Sequence, residues 1–143
     1  MGEAMKVSLL TVDEILQFWP LIEESMLRVE HMWSDKLTPD YFYYAAVNQH
    51  IQLWGVGEDA IQYVAVTQVK VYPASRFLEV DFIFGSGDVD ACVEALYPVL
   101  HNYAQVQGCR CIEIINARDG WVRKLKHKAK KTGVVLTAHV GVH

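Results

Sequence analysis

The stretch DFIFGSGDVDAC, residues 81–92, is the part of the sequence that most constrains the fold. An apolar strand runs into a Gly-Ser-Gly turn, and the turn leads into a predicted helix. A strand, a glycine turn and a helix N-terminus together often bind a phosphate group, because the start of a helix offers unpaired N–H groups and partial positive charge. Asp88 and Asp90 stand where that anion would lie, so the loop either binds a phosphorylated cofactor or is capped by its own carboxylates.

The composition is that of an ordinary globular protein. The chain has 143 residues, a formal net charge of −4 and 52% hydrophobic residues, which predicts a single domain over residues 1–143. No apolar run reaches the roughly 18 residues of a membrane span, and the N-terminus lacks the pattern of a signal peptide. The cysteines and histidines show neither a disulfide framework nor metal-ligand spacing. We therefore expect no metal site and a location in the cytoplasm of the producing cell.

Apolar periodicity predicts ten elements in the order β-α-α-β-β-β-α-β-α-β, an α/β fold with a mixed sheet. The first helix begins at Thr11, where Glu14 completes a capping box, and the second begins at Thr38-Pro39-Asp40. Pro98 is expected to kink or divide the third helix, which begins at Val89. The predicted strands are 5–10, 51–56, 61–72, 76–84, 111–116 and 134–142.

This order, with a glycine turn between the fourth strand and the third helix, resembles the GNAT (Gcn5-related N-acetyltransferase) superfamily. A second motif, CIEIINARDGWVRKL at residues 111–125, looks like the Gly-Trp segment of the small GNAT-like proteins of tailed bacteriophages. The resemblance implies a mainly antiparallel mixed sheet flanked by helices. It also implies acetyl-CoA as acyl donor in members that are enzymes, and assembly into a virion for the phage proteins.

In acetyl-transferring members of the superfamily the turn has the form Gln/Arg-x-x-Gly-x-Gly/Ala, and its backbone N–H groups bind the pyrophosphate of acetyl-CoA. The resemblance places Phe82 in the basic position and assigns a degenerate CoA loop to Gly85, Ser86, Gly87 and Asp88. Each like-charge contact between a phosphate and Asp88 or Asp90 would cost about 3–4 kcal/mol at a dielectric constant near 20. We therefore predict that the loop is self-capped and that no cofactor binds.

Two further departures from the family favour loss of acetyl transfer. Enzymes of the superfamily often place a tyrosine in the last helix to protonate the departing thiolate, whereas the predicted helix here contains no tyrosine and carries Lys124, His127 and Lys128 as protic side chains near its middle. The family also ends in a hairpin, and here one predicted strand precedes His143. The acceptor side is therefore expected to be truncated or completed by a partner.

Glu79 and Asp81 are two residues apart on one predicted strand, so their side chains share one face. One of them could serve as general base for an amine acceptor, as carboxylates do in many members of the family. The alternative, which we favour from the sequence, is a solvated face of the sheet or an edge that a helix covers.

A basic segment covers the predicted helix at 119–131. Six of the thirteen basic residues lie within nine positions: Arg123, Lys124, Lys126, Lys128, Lys130 and Lys131. Such a cluster could bind nucleic acid or another polyanion. No aromatic residue is interleaved for base stacking, so a solvated helix is the favoured interpretation.

The second helix carries a run of aromatic residues, Tyr41, Phe42, Tyr43 and Tyr44. A helix has only one face to pack against its own core, so one or two of these rings should face outward. Trp33 and Trp54 are expected to flank the same region. Aromatic residues are favoured interface anchors, so a contact with a protein partner or a second copy is as well supported as a groove filled by the chain's own rings.

Together these observations predict a GNAT-like domain that has lost acetyl transfer and acts as an interaction or structural protein, plausibly in a bacteriophage virion. The competing hypothesis is an enzyme, an N-acyltransferase that moves an acyl group from acyl-CoA to an amine. The loop at 84–90 discriminates between the two.

Overall fold

The computed structural model describes residues 5–30, 33, 36–115, 130, 132, 133 and 138. The elements in this part of the chain are β1 (Lys6–Leu9), α1 (Val12–Leu27), α2 (Pro39–Val47), β2 (Gln52–Gly57), β3 (Tyr63–Val71), β4 (Arg76–Gly85), α3 (Val89–Val106) and β5 (Cys109–Ile114). The predicted basic helix and last strand lie outside the described residues, apart from isolated positions. Among the helices described, none has the length and apolar character needed to cross a membrane.

The five strands form one sheet in the order β1-β2-β3-β4-β5. The first three neighbouring pairs are antiparallel, while β4 and β5 are parallel. Parallel neighbours need a crossover connection, and α3 supplies it between β4 and β5. The predicted α/β fold with a mixed, mainly antiparallel sheet is therefore confirmed.

β3 and β4, predicted as strands at 61–72 and 76–84, form an antiparallel hairpin with its turn at residues 73–75. Val71 lies opposite Arg76 at the start of the antiparallel register. β5 begins at Cys109, two residues before the predicted start, because Cys109 already pairs with Arg76.

Both predicted helix starts are confirmed. Thr11 Oγ1 accepts a hydrogen bond of 3.2 Å from the Glu14 N–H, and Glu14 Oε1 accepts one of 3.0 Å from the Thr11 N–H. This pair is the capping box of α1. At α2, Thr38 Oγ1 accepts a hydrogen bond of 3.2 Å from the Tyr41 N–H, and Pro39 is the first helical residue.

The sequence predicts that Pro98 kinks or divides α3; α3 is one continuous helix, so the division does not occur. Proline removes a backbone donor from a helix interior, but core contacts hold the turns on both sides. Leu96 and Leu100, which flank Pro98, are both buried. Tertiary packing of the apolar stripe therefore outweighs the local cost of the proline.

The sheet separates two apolar cores. The first, called here the α1–α2 core, includes the fully buried side chains of Ile22, Met26, Leu53, Phe42 and Phe84. The second, the α3 core, packs α3 against the other face and includes Trp54, Val56, Leu78, Val80, Cys92 and Leu96. The same strands serve both cores because successive side chains of a strand point to opposite faces.

Candidate functional site

The candidate site begins at a β-bulge in β4. Val66 of β3 lies opposite Phe82, whereas the next residue, Thr67, lies opposite Val80. Asp81 is therefore an extra residue on β4, without a counterpart on β3.

The bulge reverses the alternation of β4. Before it, Leu78 and Val80 point into the α3 core. After it, Phe82 and Phe84 point into the α1–α2 core. Bulges commonly re-aim side chains next to functional sites, and here the re-aimed residue is the predicted candidate Asp81.

Asp81 is buried in the bulge, with 8% of its surface exposed. Burial raises the pKa of Asp81 to about 7, and a hydrogen bond with the Glu79 side chain and the negative charge of Glu79 add to the rise. A hydrogen bond of 2.8 Å, donated by Gln68 Nε2 to Asp81 Oδ2, and the charge of Lys70 act in the opposite direction. The structure therefore brings the two predicted carboxyl groups together, and the raised pKa of Asp81 lies near neutral pH.

Gln68 is the residue that sequence reasoning missed. It lies directly opposite Glu79 in the antiparallel register of β3 and β4. No local sequence signal marks it, because its role depends on how the two strands align.

The sheet opens beside Asp81. β5 pairs with β4 only from Arg76 to Val80, and the Ile115 N–H donates a last hydrogen bond of 3.3 Å to the Val80 carbonyl oxygen. β4 itself continues to Gly85. Within the described residues, the backbone at 81–85 therefore has no strand neighbour on the β5 side, and such an edge can pair with an extended ligand.

β4 ends at a position that requires glycine. Gly85 has φ 148° and Gly87 has φ 121°, which L-residues rarely adopt. A Cβ at Gly85 would also collide with the Gln62 carbonyl oxygen. The Ser86 N–H donates a hydrogen bond of 3.2 Å to that same oxygen, which fixes the loop against the start of β3.

Asp88 caps α3, as the sequence predicts. Its Oδ1 accepts a hydrogen bond of 3.1 Å from the Ala91 N–H. Asp88 and Asp90 are both exposed, so water screens their charges, and the expected repulsion of a phosphate falls to about 1 kcal/mol per contact at 4 Å. Asp88 therefore caps α3, but the repulsion between these carboxylates and an incoming anion is weaker than the sequence suggested.

Phe82 offers nothing to an anion. Its ring stacks on Phe84 with centroids 5.6 Å apart and lies edge-on to Phe42 at 5.8 Å. The side chain at the position of the family's basic residue is therefore part of the α1–α2 core.

The aromatic run of α2 divides between core and surface. Phe42 is buried, whereas Tyr41 is 43% and Tyr44 is 63% exposed. Tyr43 packs edge-on against Trp19 of α1, with ring centroids 5.1 Å apart. The prediction that one or two of these rings face outward is confirmed, while their contact with a partner stays a prediction.

The assignment of Trp33 and Trp54 to the same interaction surface is wrong. Both are buried, and their indole N–H groups donate hydrogen bonds of 3.0 Å to the Met26 carbonyl oxygen and 2.9 Å to Thr67 Oγ1. They also lie in different cores, on opposite faces of the sheet. β2 packs against a core on both faces, so its sequence could not show which way Trp54 points.

The basic segment at 123–131 and metal-binding groups of side chains complete the set of predictions. Of the six basic residues, the structure describes only Lys130, which is exposed; the other five lie outside the described residues. In the described ranges, no three His, Cys, Asp or Glu side chains are grouped so that they could hold a metal ion.

No protein-family model matches the sequence, and no curated protein matches it. Solved structures of acetyltransferases, however, have a fold similar to that of this chain. A ribosomal-protein-alanine N-acetyltransferase from Brucella melitensis biovar Abortus 2308 matches with a TM-score of 0.66 and 17% identity, over 96% of this chain and 100% of that one. A predicted acetyltransferase from Clostridium acetobutylicum, crystallised with acetyl-CoA, matches with a TM-score of 0.69 and 16% identity, over 94% and 96%.

An aminoglycoside acetyltransferase from an uncultured soil metagenomic sample, in complex with sisomicin, matches with a TM-score of 0.64 and 11% identity, over 97% of this chain and 95% of that one. At such low identities the likeness establishes the fold alone. The chain has the fold of the N-acetyltransferases, as the resemblance to the GNAT superfamily predicted. The resemblance to phage proteins stays a prediction.

Proposed function

We propose that this protein is an N-acyltransferase that transfers an acyl group from acyl-CoA to an amine. The observation that carries the proposal is the carboxyl pair of Glu79 and Asp81, which sits at the bulge where β4 parts from β5. The fold supports it, because the matching acetyltransferases from Brucella melitensis and Clostridium acetobutylicum align with nearly the whole of this chain.

The carboxyl pair suits a general base. An amine is protonated in neutral water and must lose a proton before its nitrogen can attack a carbonyl carbon. A base works best when its pKa lies near the working pH, and burial raises the pKa of Asp81 to about 7. Asp81 accepts that proton while Gln68 Nε2, 2.8 Å from Asp81 Oδ2, holds the carboxylate in place.

Acyl-CoA would supply the thioester, whose carbon–sulfur bond breaks as the amide bond forms. The second proton lost by the attacking nitrogen passes through water to the thiolate, and Asp81 returns the first proton to solvent. The open edge of β4 at 81–85 would hold the amide-containing arm by backbone hydrogen bonds. The N–H groups around Gly87 and Asp88 would face the pyrophosphate. The shape of the loop fits this role, but no basic side chain joins it and two carboxylates stand nearby, so we expect weak donor binding.

The test measures thiol release and donor binding together. The purified protein is mixed with acetyl-CoA and a panel of primary amines, and free thiol is followed with a thiol-reactive dye. We expect release that needs both protein and amine, that is lost in Asp81→Asn and that is kept in the matched surface variant Glu94→Gln. No release with any amine, together with an unchanged melting temperature at millimolar acetyl-CoA, would refute the proposal.

The second candidate is a protein that keeps the fold without the chemistry and works through protein contacts. The Asp88 cap and the buried Phe82 favour it, because both weaken the donor site. The exposed Tyr41 and Tyr44 offer a contact surface. This candidate includes the virion role, whose test is detection of this chain by mass spectrometry in purified phage particles from its source.

A further inference from the structure

A cavity of about 320 Å³ lies between α1 and the β1–β2 edge of the sheet. Gly55 and Gly57 follow Leu53 on the face of β2 that packs against α1, and Gly55 is paired with Ser8 of β1. A Cβ at Gly55 would meet the Leu10 and Ile61 side chains at 3.2 and 3.3 Å, so these two side chains lie over the strand and face the pocket.

The wall of the cavity is apolar. Leu10 and Ile61 form its inner side, and Phe18 and Leu21 of α1 cover it. Leu21 is 45% exposed, so the pocket is open to solvent at the helix. A volume of this size is at the lower end of the roughly 300–1,000 Å³ found for small-molecule sites.

The mouth of the cavity is negatively charged. Glu14, Glu58 and Asp59 line it together with a single basic residue, Lys6. Glu58 and Asp59 are exposed at the turn between β2 and β3, where their charges remain available to a ligand. Three carboxylates against one ammonium group leave an excess of negative charge beside an apolar wall.

We propose that this cavity binds a small organic cation, an ammonium ion on an aromatic or branched aliphatic body. The hydrocarbon part would displace water from the wall formed by Leu10, Phe18 and Ile61. The ammonium group would lie at the mouth, close to Glu58 and Asp59. This site is independent of the proposed acyl transfer, because β3 stands between the β1–β2 edge and Asp81 in β4.

Methyl NMR of the full chain tests the proposal, with phenethylamine as the probe. Phenylpropionate has a similar shape and the opposite charge, and serves as the control ligand. We expect phenethylamine at millimolar concentration to shift the methyl signals of Leu10, Leu21 and Ile61, and phenylpropionate to leave them unchanged. Equal binding of the two, or shifts confined to Val80 and Ile83 beside the bulge, would overturn the inference.

Charge variants provide the second measurement. Glu58→Gln with Asp59→Asn should weaken phenethylamine binding by about threefold to tenfold, the range expected when exposed ion pairs are lost. Both positions are exposed, so the fold should be retained. Glu94→Gln, an exposed change on α3 away from the cavity, should leave the affinity unchanged. An affinity that is the same in the double variant would contradict the proposed role of the two carboxylates.

Discussion

Asp81 and Asp88 lie seven positions apart along the chain, yet their surroundings are opposite. Asp81 is buried in a bulge beside Glu79, and burial raises its pKa to about 7. Asp88 is exposed and accepts a hydrogen bond from the Ala91 N–H at the start of α3. The first can exchange a proton near neutral pH, while the second stabilises a helix.

The comparison shows that a carboxylate's role follows from burial and partners more than from its place in a motif. The sequence motif drew attention to the loop around Asp88, where the charge is screened by water. The carboxyl group whose pKa is raised is that of Asp81, which lies earlier in the chain and contacts Gln68 and Glu79. Four measurements on variants test this contrast between buried and exposed side chains.

The largest effect is expected for Asp81→Asn. If Asp81 is the general base, the variant loses the proton acceptor but keeps a side chain that Gln68 can contact, so kcat/KM for amide formation should fall by about 100-fold to 10,000-fold. The value of kcat/KM should not fall in Asp88→Asn, because Asn also caps helices. Comparable losses in the two variants would remove the distinction between the positions.

The second prediction concerns pH and stability. The pKa of Asp81 is raised from 3.8 to about 7 in the folded protein, so the protonated group stabilises the fold at low pH. This contribution is lost as the pH rises through about 7. The melting temperature of Asp81→Asn relative to wild type should therefore be higher at pH 8 than at pH 5, as measured by calorimetry. A difference that does not vary with pH would contradict the burial and raised pKa of Asp81; Glu94→Gln is the control.

The third prediction concerns the loop. Two like charges about 4 Å apart in water repel each other by about 1 kcal/mol. Removal of one exposed negative charge at that distance from a phosphate of acetyl-CoA should therefore strengthen acetyl-CoA binding by about fivefold. Asp88→Asn with Asp90→Asn should therefore tighten acetyl-CoA binding, read by calorimetric titration. Asp13→Asn, an exposed carboxylate in the first turn of α1, is the matched control. Weaker binding in the loop variant would show that the carboxylates do not repel the donor.

The smallest effect is expected at the surface. Tyr44 is 63% exposed, so Tyr44→Ala should change the free energy of unfolding by no more than about 0.5 kcal/mol. If α2 mediates self-association, sedimentation at micromolar concentration should show a weaker complex. Val106→Ala, at a 73% exposed position on α3, is the control. A wild-type protein that stays monomeric would leave this surface without a role in self-association.

Local signals predicted much of the fold. The Thr11–Glu14 capping box, the Thr38-Pro39 start of α2 and the Asp88 cap depend on residues three positions apart, and all are present. These features form from nearby atoms, so a short window of sequence contains the information.

The candidate site was harder to predict, because its decisive features are not local. The bulge at Asp81 depends on the register of β3 against β4, and the opening beside it depends on where β5 stops pairing. Trp54 was misassigned for a similar reason, since its burial depends on α3 covering the far face of the sheet. Only the pairing of distant segments determines such features.

The bulge also makes β4 tolerant of a change in length at one point. Its first half supplies Leu78 and Val80 to one core and its second half supplies Phe82 and Phe84 to the other. Deletion of Asp81 would leave Val80 and Phe82 opposite the consecutive residues Thr67 and Val66, so Phe82 and Phe84 would keep both their face and their partners on β3. A codon lost at position 81 would thus remove the buried carboxyl group and leave the two cores in register, whereas a codon lost elsewhere in β4 would exchange the inside and outside of part of the strand.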